Sequence, residues 1–429
     1  MNTPDQNPLP HSSGARPWGA FLYRDYRFLW VTLIASSIVV WMRILGTAQW
    51  LLDETGSAYL VGLIGVVQLV VQVPVTLWAG TLADRVDRKR LMSLAHAATS
   101  VALLTLGFLN WQDMLTPVLV YTGIAITAAT HMLASPARSA LVPIIIPERE
   151  LMLAASTDTA SSNAAAIAGP LIFAFVAVTA DLTAVFVLAG SISLISSLLP
   201  QFIRAKGMAD GHGHEEGEKP SQIQQTRDGV SFVSKHPILP GLFLLDAGIT
   251  TASFYREILP VLALGLFAGG ASATGFLGAA NSAGAIFGSF IALMLVGFRA
   301  KGMLVLYASF AYGFFLFGFG TATTLWFGVL MIALLGAADA VTVAVRQTTV
   351  MLTTPDHMRG RAFALMILAA QTANNVGTVW VGTWAGLIGA SNTMVMGGVI
   401  SIVATALIWW FWKPIREFRS SDSQESSSS

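Results

Sequence analysis

Long uncharged runs separated by short charged turns are the feature that most restricts the fold of this chain. Residues 59–78 hold no charged side chain, and residues 91–110 hold only His96 as a titratable residue. Between them, residues 80–90 carry six charged side chains. Each run is long enough to cross the ~30 Å hydrocarbon core of a bilayer, whereas the charged turn cannot enter it. The turn therefore has to lie at a membrane surface, with a span on either side.

The composition indicates an integral membrane protein. Hydrophobic residues make up 54% and charged residues 11% of the 429 residues, whereas soluble domains carry about 25% charged residues. The net charge of +1 argues against a nucleic-acid partner, because such a partner requires a basic surface. Cysteine is absent, which excludes disulfides and cysteine-ligated metals. The sequence has no metal-binding cluster, phosphate-binding lysine loop or nucleophile motif, so we expect no cofactor and no enzymatic activity.

Twelve apolar runs have the length of membrane spans. We predict an all-α integral membrane protein in which twelve transmembrane helices form two six-helix bundles related by a pseudo-twofold axis. The predicted spans are residues 28–51, 59–82, 91–110, 115–137, 152–178, 182–203, 238–264, 271–297, 302–320, 324–347, 362–388 and 393–412.

The positive charges predict the orientation of these spans. Lysine and arginine are retained on the cytoplasmic side of a membrane, while acidic residues contribute little. With the N-terminus inside, 22 of the 24 lysine and arginine residues fall in cytoplasmic segments. The other two, Arg43 and Arg256, lie within predicted spans. We therefore expect the N- and C-termini to lie in the cytoplasm.

Polar stretches divide the chain into five parts. The linker between the bundles carries His212 and His214, but two ligands on a linker rarely define a metal site, so we favour a linker without bound metal. The predicted parts are an N-terminal cytoplasmic segment over residues 1–27, an N-terminal bundle over 28–203, a cytoplasmic linker over 204–237, a C-terminal bundle over 238–412 and a disordered cytoplasmic tail over 413–429.

The two halves repeat each other at a fixed offset. Residues 56–65 align with residues 269–278, and the same offset carries Arg43 onto Arg256 and Arg88 onto Lys301. Repeats of this kind are typical of transporters that are built from two related bundles.

Several motifs resemble one superfamily of transporters. The charged turn has the order Gly-x-Leu-Ala-Asp-Arg-x-x-Arg-Lys-Arg, which resembles the signature loop between the second and third helices of the major facilitator superfamily. Residues 135–143, the Gly169-Pro170 pair and residues 338–348 resemble the branch that contains bacterial siderophore and macrolide exporters. The chain departs from this pattern at Asp87, where glycine is usual, and at Phe173-Ala174, which replace a glycine pair that follows the antiporter-like Gly169-Pro170.

The resemblance implies a function as well as a fold. It predicts a secondary active transporter, coupled to protons, that exports a small amphipathic organic compound such as a drug or a siderophore by alternating access. A lipid flippase or an uptake permease on the same fold is an alternative that the sequence separates poorly from an exporter, and a non-transporting membrane sensor is less favoured. We expect a monomer in the lipid bilayer of the bacterial inner membrane.

A conformational latch is predicted at the cytoplasmic side. The carboxylate of Asp84 can approach the positive end of a helix in the other bundle and pair with Arg88, while Gly80 allows close helix contact. Arg138 and Arg346 occupy equivalent positions of the two halves and are assigned to the same latch. Charges that serve only membrane topology need no acid, so we favour the latch over a purely topological role for Asp84 and Arg88.

Ionisable residues inside the spans are the candidate substrate and proton sites, because each costs about 2.5–3.5 kcal/mol at a helix centre. For Asp246, a role in carrying the coupling proton or a cationic substrate group competes with an inter-bundle hydrogen bond. Arg43 is expected to line the cavity and bind an anionic or carbonyl-bearing group, or to close an outer gate with Glu257. The candidates are Arg43, Asp246, Arg256, Glu257 and Asp339.

Other polar and aromatic residues in the spans have less specific expectations. Asp339 and Arg346 lie two helical turns apart, so a structural pair is as good an interpretation of them as a coupling role. We favour structural hydrogen bonding for His96, His131 and Asp158. The residues expected to give the cavity an aromatic wall are Trp41, Trp50, Phe254, Tyr255, Trp380 and Trp384.

Overall fold

The structure is a computed structural model that describes residues 19–205, 207 and 222–419; within these, the side chains of residues 77–85, 222–226, 228, 356 and 357 are not placed. The regular structure in these residues is helical. The α-helices are α1 (Arg24–Thr55), α2 (Ala58–Arg85), α3 (Arg88–Trp111), α4 (Pro117–Ile145), α5 (Glu148–Thr179), α6 (Leu182–Leu198), α7 (Gln222–Lys235), α8 (Leu239–Ser253), α9 (Leu259–Phe267), α10 (Ala271–Met294), α11 (Lys301–Gly320), α12 (Leu325–Thr353), α13 (Asp356–Ile388), α14 (Ala390–Phe411) and α15 (Lys413–Glu417).

The predicted twelve-span architecture is confirmed. In the described part of the chain, eleven helices are long and apolar enough to cross a membrane. The twelfth crossing is the segment Leu239–Phe267, which contains α8 and α9 and is counted together with Gly229–Lys235, from which it is bent by 98°. Helices α1–α6 form the N-terminal bundle, and α8–α14 form the C-terminal bundle. The bundles meet where α2 packs on α13 and α5 packs on α10. Because each bundle has an even number of crossings, the start of α1 and the end of α14 lie on the same side of the molecule.

The helices begin and end at local signals in the sequence. The Asp87 carboxylate accepts hydrogen bonds from the backbone N–H groups of Lys89, at 2.9 Å, and Arg90, at 3.2 Å. It therefore satisfies two donors that every helix N-terminus leaves free. This cap gives a physical reason for the acid at the position where the superfamily usually has glycine. At the end of α1, Gly56 adopts a left-handed conformation with φ of 62°, which ordinary residues rarely adopt.

The offset between the halves corresponds to equivalent helix positions. Arg88 is the first residue of α3, and Lys301 is the first residue of α11. Residues 56–65 run into α2, and residues 269–278 run into α10. The repeated segments therefore begin the second helix of each half, where the two bundles contact each other.

The seventh span is not the continuous helix that residues 238–264 were expected to form. Helix α8 ends at Ser253, a short 3-10 turn spans Arg256–Ile258, and α9 begins at Leu259. Pro260 lies in the first turn of α9, where its missing N–H does not cost a helical hydrogen bond. Hydrophobicity alone does not reveal such a break, and its effect is to place Arg256 and Glu257 on irregular backbone.

The segments outside the spans are partly ordered. Helix α7 packs on α13, where Gly229 faces the Leu365 side chain. The expectation of a disordered tail over residues 413–429 is wrong for its first residues, because α15 packs on α11 with Ile415 fully buried. Residues 420–429, like His212 and His214, lie outside the described residues. The remaining domain boundaries stay predictions.

Candidate substrate and coupling site

The two bundles are in close contact at the end opposite the start of α1 and the end of α14. There, Gly62 of α2 lies so close to Gly382 of α13 that a Cβ atom on Gly62 would be 2.9 Å from the Gly382 Cα. On the other side of the molecule, Gly275 of α10 lies against Pro170 and Ala174 of α5. The antiporter-like Gly169-Pro170 pair thus lies at a contact between the bundles, with Gly169 against Trp41. Both contacts close this end of the protein.

Side-chain hydrogen bonds join the bundles at the closed end. Glu257, which is 6% exposed, accepts hydrogen bonds from Gln68 of α2 at 3.4 Å and from Thr378 of α13 at 3.3 Å. The Asn375 amide donates to the Gln72 side chain at 3.0 Å. The Glu257 carboxylate therefore bridges an N-terminal helix and a C-terminal helix through the break in the seventh span.

Arg256 also reaches the other bundle, but through aromatic rings. Its guanidinium carbon lies 5.3 Å from the centre of the Trp41 ring and 5.7 Å from that of Phe254. A cation at this distance from an aromatic face is stabilised by the ring quadrupole. The repeat places Arg256 and Arg43 at equivalent positions of the two halves, but their side chains have different surroundings.

Arg43 is buried inside the N-terminal bundle. It is 8% exposed, and its Nη1 atom has no hydrogen-bond partner among the described residues. It lines a cavity of about 120 Å³ between α1, α3, α4 and α6. The Glu257 carboxylate influences Arg43 electrostatically, but its hydrogen bonds go to Gln68 and Thr378. The expected gate between Arg43 and Glu257 is therefore not a direct ion pair in this structure.

The C-terminal bundle holds a cluster of ionisable residues. Arg346 of α12 forms an ion pair with Asp246 of α8, and the Arg346 side chain is 7% exposed. Asp339 is exposed to a cavity beside them and interacts electrostatically with both. Asp246 therefore pairs within its own bundle and does not form the inter-bundle hydrogen bond considered as an alternative. Asp339 and Arg346 do not form a direct pair, although they lie on one helix.

The cavity beside this cluster has a volume of about 340 Å³. Ile367 is 47% exposed within its wall, and the wall continues along α12 and α13 toward the end at which α1 begins and α14 ends. The Tyr255 hydroxyl and the Asn281 amide form a hydrogen bond in this wall, and Tyr312 and Ser253 form another at 2.9 Å. The residues that line the cavity are Asp246, Thr250, Phe254, Tyr255, Arg256, Asn281, Tyr312, Asp339, Val343, Arg346, Gln347, Met366, Ile367, Ala370, Gln371 and Asn374.

The expected aromatic wall is only partly present. Phe254 and Tyr255 line the cavity, whereas Trp50 is 6% exposed and donates to Asn110 at 2.6 Å inside the N-terminal bundle. Trp380 and Trp384 contact each other at 6.2 Å between ring centres and are not part of the cavity lining described above.

The predicted latch residues are found in different surroundings. Arg138 forms a 2.5 Å ion pair with Asp158, which also accepts a hydrogen bond from the Tyr26 hydroxyl at 2.9 Å. Arg88 donates to the Ala140 carbonyl at 3.4 Å. Gly80 and Asp84 lie in the stretch whose side chains are not placed. The latch therefore stays a prediction for all five residues.

Sequence reasoning missed the uncharged polar residues of the bundle contact. Gln68, Gln72, Asn375 and Thr378 lie inside apolar helices, but a search restricted to ionisable residues passes over them. Buried amides require hydrogen-bond partners. Glutamine and asparagine within the uncharged runs were the signal that would have found them.

Comparison with known proteins shows the family of this chain. A family model described as transmembrane secretion effector matches residues 15–428. The chain belongs to this family. It is a transporter of the major facilitator superfamily, which confirms the resemblance carried by the charged turn, and it is not an enzyme.

Curated relatives are distant but cover nearly the whole chain. The enterobactin exporter EntS of Shigella boydii serotype 4 is 24% identical over 422 residues, which cover 95% of this chain and 94% of the relative. The MFS-type transporter YfiS of Bacillus subtilis is 23% identical over 355 residues, which cover 80% and 81% of the two chains.

Solved structures of transporters share the fold. The nucleoside transporter NupG superposes with a TM-score of 0.76 at 11% identity, covering 90% of this chain and 99% of NupG. A bacterial homologue of the human lysosomal transporter Spinster, in an inward-facing and unoccupied conformation, gives a TM-score of 0.68 at 14% identity, covering 94% and 99%. At these identities the likeness concerns the fold alone.

Proposed function

We propose that the protein is a proton-coupled exporter of small amphipathic organic compounds that works by alternating access in the bacterial inner membrane. The observation that carries this proposal is the cavity lined by two carboxylates, Asp246 and Asp339, in which Asp246 is ion-paired with Arg346 and Asp339 is exposed. Their polar cluster is adjacent to the aromatic side chains of Phe254 and Tyr255. A cavity with apolar walls and a few convergent polar groups is suited to an amphipathic solute.

The two carboxylates provide a proton site without a cofactor. Arg346 is ion-paired with Asp246, and the guanidinium of Arg256 lies over the rings of Trp41 and Phe254, so Asp339 is the carboxyl group that a proton or a cationic substrate group can reach from the cavity. Asp339 is the better acceptor from the cavity because it is exposed there, whereas Asp246 is already paired with Arg346. Binding of a proton and binding of a cationic substrate group would then exclude each other, which is the requirement for antiport.

The energy of one proton is sufficient. Export against a hundredfold gradient costs about 2.7 kcal/mol, at about 1.36 kcal/mol per tenfold step. One proton that enters through a potential of about 150 mV supplies about 3.4 kcal/mol, at about 2.3 kcal/mol per 100 mV.

Alternating access requires the closed end to open. The bridge from Glu257 to Gln68 and Thr378, and the bond between Gln72 and Asn375, would then have to break. At the opposite end, Gly80, Asp84 and Arg88 would hold the bundles together in the other state, while Arg138 and Arg346 would keep their bundles rigid through their carboxylate partners. Changing Asp84 to Asn should preserve insertion and reduce transport.

Enterobactin is the first compound to test, because a relative that aligns with this chain over 94% of its own length is named an enterobactin exporter. Cells with and without the protein are loaded with enterobactin or with amphipathic dyes, and retention is measured before and after an uncoupler collapses the proton gradient. We expect gradient-dependent efflux that the Asp339→Asn variant loses, whereas the Arg149→Gln variant, which alters an 80% exposed side chain, retains it.

Three outcomes contradict the proposal. Efflux that persists with ATP after the gradient has collapsed would exclude proton coupling. Gradient-driven accumulation in place of efflux would indicate an uptake permease, and movement restricted to lipid probes between leaflets of a proteoliposome would indicate a flippase.

Monomeric function is tested by reconstitution at less than one protein per vesicle.

A further inference from the structure

We propose that the cavity inside the N-terminal bundle is a second binding site, distinct from the carboxylate cluster of the C-terminal bundle, for the anionic end of a hydroxylated organic acid. Its centre is Arg43. The inference rests on the proposed transport function only for identifying the ligand as part of the transported compound. The site itself follows from the residues that line the cavity.

Arg43 is a buried cation that has no ion-paired carboxylate among the described residues, and Glu257 acts on it only from beyond ion-pair distance. It is 8% exposed, its Nη1 atom has no hydrogen-bond partner among the described residues, and no carboxylate in the described residues forms an ion pair with it. Arginine cannot lose its proton to lower the cost of burial. In contrast, Arg138 and Arg346 each have a carboxylate. The missing partner of Arg43 is therefore an anion or carbonyl oxygen that the cavity receives.

The hydroxyl groups of the cavity add a second requirement. Seven serine and threonine residues line it, and five of these already donate their proton to another group of the protein. Four donations are to carbonyl groups: Ser36 to Leu33, Thr127 to Gly123, Thr130 to Thr127 and Ser193 to His96. The hydroxyls of Thr99 and Thr130 share a hydrogen bond, in which we assign Thr99 as the donor because the Thr130 proton goes to the Thr127 carbonyl.

A hydroxyl whose proton is used still has free lone pairs. The cavity therefore presents several hydroxyl acceptors and two guanidinium donors, of which Arg138 is paired with Asp158 and Arg43 has no carboxylate in the described residues. A simple anion satisfies the guanidinium only. A molecule that carries both an acidic or carbonyl oxygen and hydroxyl donors satisfies both sets of groups.

The size and access of the cavity fit an organic group. Its volume of about 120 Å³ is on the order of ten times the space that one water requires in the same measure. His131 and His96 both line the cavity; His131 is exposed there, whereas His96 is 9% exposed. A single ring with polar substituents fits this space, whereas a chloride ion would leave most of it unfilled.

Binding to the purified full-length protein in lipid nanodiscs, without a proton gradient, tests this site by calorimetry. The probes are 4-hydroxybenzoate, benzoate and 4-hydroxybenzamide, which differ by the hydroxyl donor and by the charge. We expect 4-hydroxybenzoate to bind most tightly. Arg43→Gln should weaken its binding about tenfold or more, because a hydrogen bond to a charged group is lost, and should abolish the preference for the acid over the amide.

Two further variants keep the test decisive. Arg43→Lys retains the charge but lacks the planar fork, so we expect an intermediate affinity; this variant also serves if Arg43→Gln does not fold. Thr99→Val keeps the shape but removes an acceptor, and it should reduce the preference for 4-hydroxybenzoate over benzoate. Arg149→Gln is the matched surface control and should bind like the unaltered protein.

Unchanged affinity in Arg43→Gln, or displacement of 4-hydroxybenzoate by chloride at equal concentration, would overturn the site. Its failure is separable from that of the proposed function. Gradient-driven efflux without binding in this cavity would leave the function intact, and Arg43-dependent binding without gradient-driven efflux would leave the site intact.

Discussion

Arg138 and Arg346 occupy equivalent positions in the two halves, but their carboxylate partners lie on helices that are not equivalent. Arg138 pairs with Asp158 of α5, and Arg346 pairs with Asp246 of α8. The repeat thus retains the buried cation but changes the helix that neutralises it. The C-terminal arrangement leaves Asp339 exposed in a cavity, whereas Asp158 also accepts a hydrogen bond from Tyr26, and we expect it to act as a structural residue.

The N-terminal pair should contribute strongly to stability. Asp158→Asn leaves Arg138, whose side chain is 15% exposed, without a counter-charge, and we expect a loss of about 2–4 kcal/mol. Arg149→Gln disrupts a 3.7 Å pair whose arginine is 80% exposed, and its effect should stay below about 1 kcal/mol. Thermal unfolding in detergent compares the two variants, and equal melting temperatures would contradict a structural role for Asp158.

His236 should make the corner between α7 and α8 sensitive to pH. Its Nδ1 atom accepts hydrogen bonds from the backbone N–H groups of Ile238 at 3.2 Å and Leu239 at 3.3 Å, so the ring has to be neutral. Burial lowers the pKa of His236, partly offset by a hydrogen bond to the Thr353 backbone. A group with a depressed pKa in the folded state stabilises the protein above its unfolded value of about 6.5 and loses that contribution as the pH falls through the folded value.

His236→Ala should therefore cost about 1 kcal/mol at neutral pH and less at low pH, where the unaltered protein has also lost the cap. Melting temperatures of the two proteins between neutral and acidic pH measure the difference. A difference that does not shrink on acidification would show that His236 does not act through its unprotonated ring.

At the scale of the elements, the contact between α2 and α13 depends on the absence of side chains. Gly62 and Gly382 allow the two helices to approach until backbone atoms touch, as small residues do at other helix contacts in membranes. The broken span formed by α8 and α9 supplies the polar part of the same contact, because Glu257 reaches α2 and α13 from the break. Closure of this end is therefore a property of three helices.

Gly62→Val should prevent this closure and strongly reduce transport while leaving each bundle folded. The chain has no native cysteine, so spin labels at Gln112→Cys and Thr321→Cys report the separation of the bundles at this end. We expect a larger distance in the Gly62→Val background. Gly297→Val is the control, because nothing lies within 4 Å of a Cβ atom at Gly297; equal label distances in the two backgrounds would argue against the glycine contact as the gate.

At the scale of the whole molecule, the distribution of charge predicts the orientation in the membrane. Those of the 22 lysine and arginine residues assigned to cytoplasmic segments that lie in the described residues belong to the end of the structure at which α1 begins and α14 ends. The closed end would then face the outside, and the cavity beside Asp339 would be accessible from the cytoplasm. This is the state in which an exporter loads its substrate.

Reporter fusions test this orientation. A fluorescent protein that matures only in the cytoplasm should fluoresce when fused to either terminus, and a reporter that is active only outside should be active when inserted after Gln112. The reverse pattern would place the cavity on the outer side and remove the argument for loading from the cytoplasm.

The sequence alone determined the membrane class, the number of spans, the two halves and the family. These features depend on local quantities, because the length of an apolar run, the charge of a turn and the repetition of a segment can be read without knowing which helices are neighbours. The signature over residues 80–90 was sufficient to indicate the superfamily, and the offset between the halves correctly paired the starts of α3 and α11.

Only the tertiary structure decided how the ionisable residues are used. Arg346 binds Asp246, which is 100 positions away in the chain, and not Asp339 on its own helix; Glu257 contacts Gln68 of the other bundle because a break in the seventh span directs it there. The partner of a buried charge depends on the rotation and neighbours of each helix, which hydrophobic runs leave undetermined. For the same reason, the cavity around Arg43, whose walls come from four helices, could not be predicted from any single segment.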